Sequence, residues 1–241
     1  MLNMKQVDVR DVATDQKHLT PDQQPDLERV LDKYTTLFDG TLGTWKTDPI
    51  DLELKDPNVK PYHASPCPVL HSQEKKLKAE IQWLCEYGVL RKINNSEWAC
   101  PMFTIAKPDG SLCSLADLRE LNKVIKRKPY PLPRIGDTLQ NLEGFQYATS
   151  LDMNMGYYHI VLSEKSADMC TIVTEFGKFR YKRLPMGVSC SPDIFQAKMN
   201  MLSNELEYVR AYIDDLLVIT KGDRPQDQEE TEEDRNTDFH N

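Results

Sequence analysis

Tyr208-Val-Arg-Ala-Tyr-Ile-Asp-Asp-Leu-Leu-Val-Ile-Thr220 is the stretch on which the reading of this chain turns. Tyr208–Ile213 and Leu216–Thr220 are rich in β-branched and aromatic residues, with Asp214-Asp215 between them. Two strands joined at a tight acidic turn are therefore predicted. Adjacent carboxylates repel each other, and they stay ionised more readily where a cation neutralises them. Hard oxygen ligands on a tight turn suit Mg²⁺, which takes one or two carboxylates and leaves its other positions to water and phosphate. Aspartate also favours turns because its side chain bonds nearby backbone, so the dipeptide alone does not decide between the two.

Asp152 supplies a second position of the same kind. It closes the apolar strand Tyr147-Ala-Thr-Ser-Leu151 and precedes Met153-Asn-Met-Gly-Tyr157. An aspartate at a strand end is ordinarily a cap or turn residue. If adjacent strands bring it to Asp214-Asp215, three carboxylates make a clamp for two cations and an in-line nucleotidyl transfer. The sequence alone does not show that they meet.

Upstream, Leu27, Val30, Leu31, Tyr34 and Leu37 recur at helical spacing between Pro25 and Phe38. Residues 40–70 are extended, with one alternating run at Ile50–Leu54. Leu77, Ile81, Leu84 and Cys85 predict a helix over Ser72–Tyr87, stopped by Gly88. Trp98–Ala106 reads as a strand, Pro108-Asp109-Gly110 as a turn into a second strand, and Asp117–Val124 as a short helix. Prolines 129, 131 and 133 force an extended segment, and a helix over Ile135–Leu142 follows. Further strands are predicted at His159–Leu162, Cys170–Thr174 and Lys178–Leu184. Ser191-Pro192-Asp193 opens a helix to about Leu206, with Ser191 as the cap. Residues beyond Gly222 lack apolar periodicity and read as disordered. Helices on one face of an antiparallel sheet predict an α+β domain.

The 241 residues carry a net charge of −8, but the acidity lies at the ends. Residues 1–70 have 8 basic against 12 acidic residues, residues 223–241 have 2 against 8, and the middle has 20 against 18. That balance permits a phosphate-binding surface. Lys178, Arg180 and Lys182 alternate and share a strand face, which either tracks a nucleic-acid backbone or solvates a hairpin. The six cysteines stand singly, and the charged N-terminus lacks a signal peptide. With no apolar run long enough for a bilayer, an intracellular, cytoplasmic protein without membrane contact is expected. The oligomeric state is not legible.

Six ordered stretches resemble reverse transcriptases of the gypsy-type long-terminal-repeat retrotransposons. They are Gly88-Val-Leu to Ser96-Glu-Trp98, Asp117-Leu-Arg-Glu-Leu-Asn-Lys123 with Lys128-Pro-Tyr-Pro-Leu-Pro133, Ser150-Leu-Asp152-Met-Asn-Met-Gly-Tyr-Tyr158, Arg183-Leu-Pro-Met-Gly187, Ser191-Pro-Asp-Ile-Phe-Gln196 and Tyr212-Ile-Asp-Asp-Leu-Leu217. The likeness runs over about residues 60 to 222. It implies the fingers and palm of a right-hand polymerase, the palm having a ferredoxin-like antiparallel sheet with helices on one face. It also implies a division into an N-terminal extension (1–59), fingers (60–145), palm (146–222) and acidic tail (223–241).

The resemblance further implies roles. Asp152, Asp214 and Asp215 match the metal-binding aspartates for two Mg²⁺ ions, with Mn²⁺ as substitute and the Met153 carbonyl as an added ligand. Tyr157 matches the gate that excludes a ribose 2′-hydroxyl, Met186 packs near the incoming sugar, and Lys107 holds the triphosphate. Arg119 lies near the template, or makes a structural salt bridge. The implied partners are an RNA or DNA template-primer and deoxynucleoside triphosphates, and the implied location is cytoplasmic or particle-associated. Two departures stand out. Cys113 occupies the place of a triphosphate-gripping arginine, and the likeness stops near Lys221, where family members continue into a thumb and an RNase H domain. The chain is thus expected to be a fragment of an RNA-directed DNA polymerase, or an inactive remnant that at most binds nucleic acid.

Overall fold

The computed structural model describes residues 6–106, 112–132 and 147–220. The predicted helix over Ile135–Leu142, the Pro108–Gly110 turn with Lys107, and the acidic tail lie outside them. A first helix, α1 (Val9–Asp15), lies outside the periodicity between Pro25 and Phe38, which is realised as α2 (Gln23–Asp32), packed on α1, and a 3₁₀ turn at Thr35–Leu37. An extended strap follows. Its alternating residues make isolated bridges, Ile50 with Leu162 and Leu54 with Ile125, in place of a strand. Trp45 sets its ring edge on Phe195, with centroids 6.0 Å apart.

The first long helix, α3 (His71–Glu86), buries Leu77, Ile81 and Leu84. Gly88 then takes a φ of +67°. The Gly88 N–H donates to Cys85 and the Val89 N–H to Leu84, which is the Schellman closure that a glycine at this place favours. This stop feeds β1 (Leu90–Ile93), β2 (Cys100–Ala106), β3 (Leu112–Ala116) and α4 (Arg119–Val124). After β4 (Tyr147–Asp152), a 3₁₀ turn at Gly156–His159 leads to α5 (Glu164–Met169), β5 (Thr171–Thr174) and β6 (Gly177–Tyr181). The last elements are α6 (Ser191–Ser203), β7 (Val209–Tyr212) and β8 (Asp215–Thr220).

Among the described residues two sheets result, a five-stranded one in the order β1-β6-β5-β2-β3 and a three-stranded one in the order β4-β8-β7. All pairs are antiparallel except β2 with β5. The expected α+β class and its antiparallel palm sheet are therefore present. The two sheets do not follow one cut at residue 145, because β5 and β6 return to lie between β1 and β2. One apolar core runs from Leu77 and Leu90 through Tyr158 and Leu184 to Phe195 and Ala211.

Two local expectations are corrected. His159–Leu162 is not a strand, since it makes only isolated bridges to two different segments, Val161 antiparallel with Arg183 and Leu162 parallel with Ile50. The cap of α6 is Cys190, not Ser191, whose hydroxyl instead donates to the Pro185 carbonyl at 2.7 Å.

The proline-rich segment is tied to α6 by Asp193, only 2% exposed. Its carboxylate accepts from Arg127 Nε at 2.7 Å, Arg127 Nη2 at 3.2 Å and the Tyr130 N–H at 3.0 Å. Burial pushes this acid up, but the guanidinium and the amide together hold it below its ordinary value. A lowered folded-state pKa stabilises the fold above the unfolded value, about 3.9, and that gain is lost as pH falls through the folded value. Asp193→Asn is therefore expected to lower the melting temperature at pH 7, with the gap from wild type closing below about pH 4 in thermal melts at stepped pH.

Candidate active site

Register brings the carboxylates together. β4 and β8 pair Tyr147 with Thr220 at one end and Asp152 with Asp215 at the other. β7 and β8 close on the pair Tyr212–Asp215, leaving Ile213 and Asp214 as a two-residue turn. The Met153 N–H donates to the Asp214 carbonyl at 2.9 Å and stitches the end of β4 to that turn. Asp152, Asp214 and Asp215 thus share one end of one sheet.

The backbone here is strained. Among the described residues only Met155 and Ile213 are non-glycine residues with positive φ, at 57° and 50°. One follows Asp152 and the other precedes Asp214. A turn with positive φ at its first central residue normally carries glycine. A β-branched side chain there costs about 1–3 kcal/mol and persists only when neighbours enforce it. The neighbour is Gln196 on α6, fully buried, whose Oε1 accepts from the Ile213 N–H at 2.7 Å and whose Nε2 donates to the Ala211 carbonyl at 3.1 Å.

Asp214 Oδ1 is buried with no hydrogen-bond partner. Desolvation, then the charges of Asp152 and Asp215, raise its pKa above the usual carboxylate range. Gly156 makes room for it: a Cβ there would stand 2.6 Å from Asp214 Oδ1 and 2.8 Å from the Phe195 ring. An orphaned oxygen, a raised carboxyl and two exposed carboxylates fit a divalent cation with oxygen preference. Among the described residues no group of three or more acidic, histidine or cysteine side chains closes on a common metal position. A hard cation such as Mg²⁺ takes one or two carboxylates and leaves its other positions to water and phosphate, a demand that Asp214 and its neighbours at the sheet end can meet. The Met153 carbonyl faces its own turn, accepting from the Gly156 N–H at 3.2 Å.

The remaining expected residues are placed as follows. Tyr157 is 7% exposed and tilts against Phe195 at 4.9 Å. Burial, aided by the Asp214 charge, pushes its hydroxyl up to about 12. Met186 is half exposed on the loop before α6. Asn122 of α4 pins that loop, donating to the Gly187 carbonyl and accepting from the Ser189 N–H. Arg119 is exposed and forks onto Asp117 at 2.8 and 2.7 Å. Cys113 lies on β3 across from Ile105. Lys178 and Arg180 do share a face of β6, yet both have protein partners. Arg180 bonds Glu164 and Asp168, and Lys178 contacts His63 and the Ser96 carbonyl. Their charge is thereby committed to α5 and the loop before Trp98, whereas Lys182 is exposed, with no side-chain partner among the described residues. Gln196, Gly156 and Asn122 were missed as roles, though each lies inside a quoted motif.

Residues 105–234, more than half of the chain, match the model of a family described as reverse transcriptase (RNA-dependent DNA polymerase). The retrovirus-related Pol polyprotein from transposon 412 of Drosophila melanogaster is 29% identical over 211 residues, covering 80% of this chain and 16% of that protein. The Tf2-3 polyprotein of Schizosaccharomyces pombe is 30% identical over 146 residues, 60% of this chain and 11% of that protein. The chain thus spans less than a fifth of either relative. Among solved structures, the prototype foamy virus protease-reverse transcriptase matches with a TM-score of 0.78 at 24% identity, over 89% of this chain and 29% of that one. The foamy viral enzyme in complex with RNA/DNA hybrid matches with a TM-score of 0.79 at 22% identity and the same coverage.

The raised Asp214 carboxyl has a consequence for stability. A folded-state pKa above the unfolded value means that the native state binds its proton more tightly, so stability falls as pH rises through that window. Asp214→Asn is expected to melt higher than wild type at pH 7 without divalent cation, an advantage that shrinks as pH falls toward about 4. Equal melting temperatures at pH 7 would show that the carboxylate is not strained by its surroundings.

Proposed function

Because this chain belongs to the reverse transcriptase (RNA-dependent DNA polymerase) family, we propose that the carboxylate end of the β4–β8–β7 sheet performs template-directed nucleotidyl transfer. The observation that carries this reading is the pairing of Asp152 with Asp215 beside the orphaned Asp214 oxygen. The substrates are deoxynucleoside triphosphates and an RNA or DNA template-primer. The chain is read as a fingers-and-palm segment of a gypsy-type retrotransposon polyprotein, working in the cytoplasm or in a particle. Its fingers lie mainly in residues 60–145 and its palm in 146–222.

When bound, two Mg²⁺ ions, or Mn²⁺ in their place, supply Lewis-acid stabilisation of the attacking and leaving oxygens. Asp152, Asp214 and Asp215 would hold them, with the second lone pair of the Met153 carbonyl as a further donor. The protein's own work is placement. Gly156 keeps Asp214 uncrowded, and the Phe195 ring backs Tyr157 so that its ring stands firm against a ribose 2′-hydroxyl. The Asn122 clamp fixes the loop carrying Met186 beside the incoming nucleotide. Arg119 serves the Asp117 bridge first and the template second.

Cys113 favours a second reading, a polymerase-derived domain that binds nucleic acid without turnover. Cysteine cannot replace the forked hydrogen bonds of an arginine. Losing a contact to a charged group, about 1.5–3 kcal/mol, slows transfer by about tenfold to a few hundredfold. The two readings separate in primer extension on poly(rA)–oligo(dT) with Mg²⁺ or Mn²⁺. Incorporation that disappears in the Asp214→Asn, Asp215→Asn chain and rises by about tenfold or more in Cys113→Arg is expected. Incorporation that survives the double substitution would reject the site.

A further inference from the structure

Nothing in the family match explains how an isoleucine can occupy the first position of the catalytic turn. We infer that Gln196 is a positioning residue whose buried amide holds the Ile213-Asp214 turn in its strained shape and so aims the Asp214 carboxylate. The inference rests on the nucleotidyl-transfer reading of the same carboxylates.

Gln196 is fully buried on α6. Ile213 N–H can only donate and Ala211 C=O can only accept, so bonding both determines which end of the amide is oxygen. A second Nε2 bond, to Asn200 Oδ1 at 2.8 Å, keeps the amide from rotating. Asn200 in turn donates to the Tyr130 hydroxyl at 3.0 Å, and the Tyr130 N–H donates to Asp193. The clamp is thus anchored through α6 to the extended segment before Pro131, far along the chain from the turn. Phe195, the preceding residue, reaches the other side of the site, against Tyr157 and Gly156. One helical turn therefore meets both the backbone of the Ile213 turn and the Gly156 backbone beside Asp214.

An ordinary two-residue turn would need glycine at 213 to reach the same φ without help. Removing the amide leaves a buried donor and acceptor unmatched and frees Ile213 to return to negative φ. Such a return swings the Asp214 side chain away from the Gly156 hollow. The carboxylate then meets the cation in fewer encounters, while the nucleotide pocket built by Tyr157 and Met186 is untouched.

The test uses the full 241-residue chain with Gln196→Met, nearly isosteric but unable to bond, and Asn200→Ala, which leaves both Gln196 bonds to the turn in place but removes the amide's brace and the Tyr130 hydroxyl bond. Amide hydrogen exchange by NMR reports the clamp without any metal, Mn²⁺ titration followed by electron paramagnetic resonance reports the cation site, and single-nucleotide incorporation splits kcat from KM. In Gln196→Met, Ile213 exchange faster by about tenfold or more, Mn²⁺ affinity weaker by about tenfold, and kcat lower by about tenfold at unchanged nucleotide KM are expected. Asn200→Ala should shift all three in the same direction by about threefold. Unchanged Ile213 exchange in Gln196→Met would overturn the clamp. Faster exchange with unchanged Mn²⁺ affinity would overturn the positioning role and leave a structural bond. If wild type shows no Mn²⁺ site that Asp214→Asn removes, the carboxylate reading fails, a result distinguishable because Ile213 exchange still judges the clamp.

Discussion

Antiparallel pairing of β4 with β8 sets Asp152 across from Asp215, and that register governs what the rest of this molecule must do. A slip of one residue would send Asp152 to the opposite face of the sheet. Holding three carboxylates at one sheet end is unfavourable on electrostatic grounds, and the turn between β7 and β8 adds a positive φ at a β-branched residue. The surrounding structure exists in large part to enforce this arrangement. Gln196 restrains the turn, Gly156 leaves room for the Asp214 oxygen, and Trp45 backs Phe195 from the N-terminal strap.

The two sheets divide the labour. The five-stranded sheet with α3 buries a continuous apolar core, and it recruits β5 and β6 from the part of the chain that follows the first aspartate. The three-stranded sheet is thin and carries the charges, with β4 exposed along its whole length. Polar bonds tie connecting segments to the helices of the shared core: Asn122 of α4 on the Gly187–Ser189 loop, and Asp193 of α6 on Arg127 and Tyr130. Where packing could not decide geometry, hydrogen bonds to backbone groups did.

Much of this was legible in the residues. The stripe of Leu77, Ile81 and Leu84 with Gly88 placed α3 to within a residue at each end, because apolar spacing and a C-terminal glycine are local signals. Asp214-Asp215 between β-rich runs placed the β7–β8 hairpin for the same reason. The misread segments depend on distant partners. His159–Leu162 has strand-like residues but is bonded to pieces of chain on both sides of it, and the Ser191 hydroxyl is taken by the Pro185 carbonyl. The basic alternation of Lys178 and Arg180 was visible, whereas the acidic partners of Arg180 on α5 and the contacts of Lys178 with His63 and Ser96 were not. Gln196 lies 17 residues from the amide it holds, and Asn122 lies 65 from Gly187. No periodicity encodes such pairings.

The raised Asp214 carboxyl and the positive φ at Ile213 imply that this sheet end is built at a cost to stability that a bound cation would relieve. Calorimetric unfolding of the chain with and without millimolar Mg²⁺ tests it most directly, since a ligand that binds only the folded state raises its melting temperature. Mg²⁺ is expected to raise the melting temperature of wild type and to leave the Asp152→Asn, Asp214→Asn chain unmoved. An equal shift in both chains, or none in wild type, would contradict it.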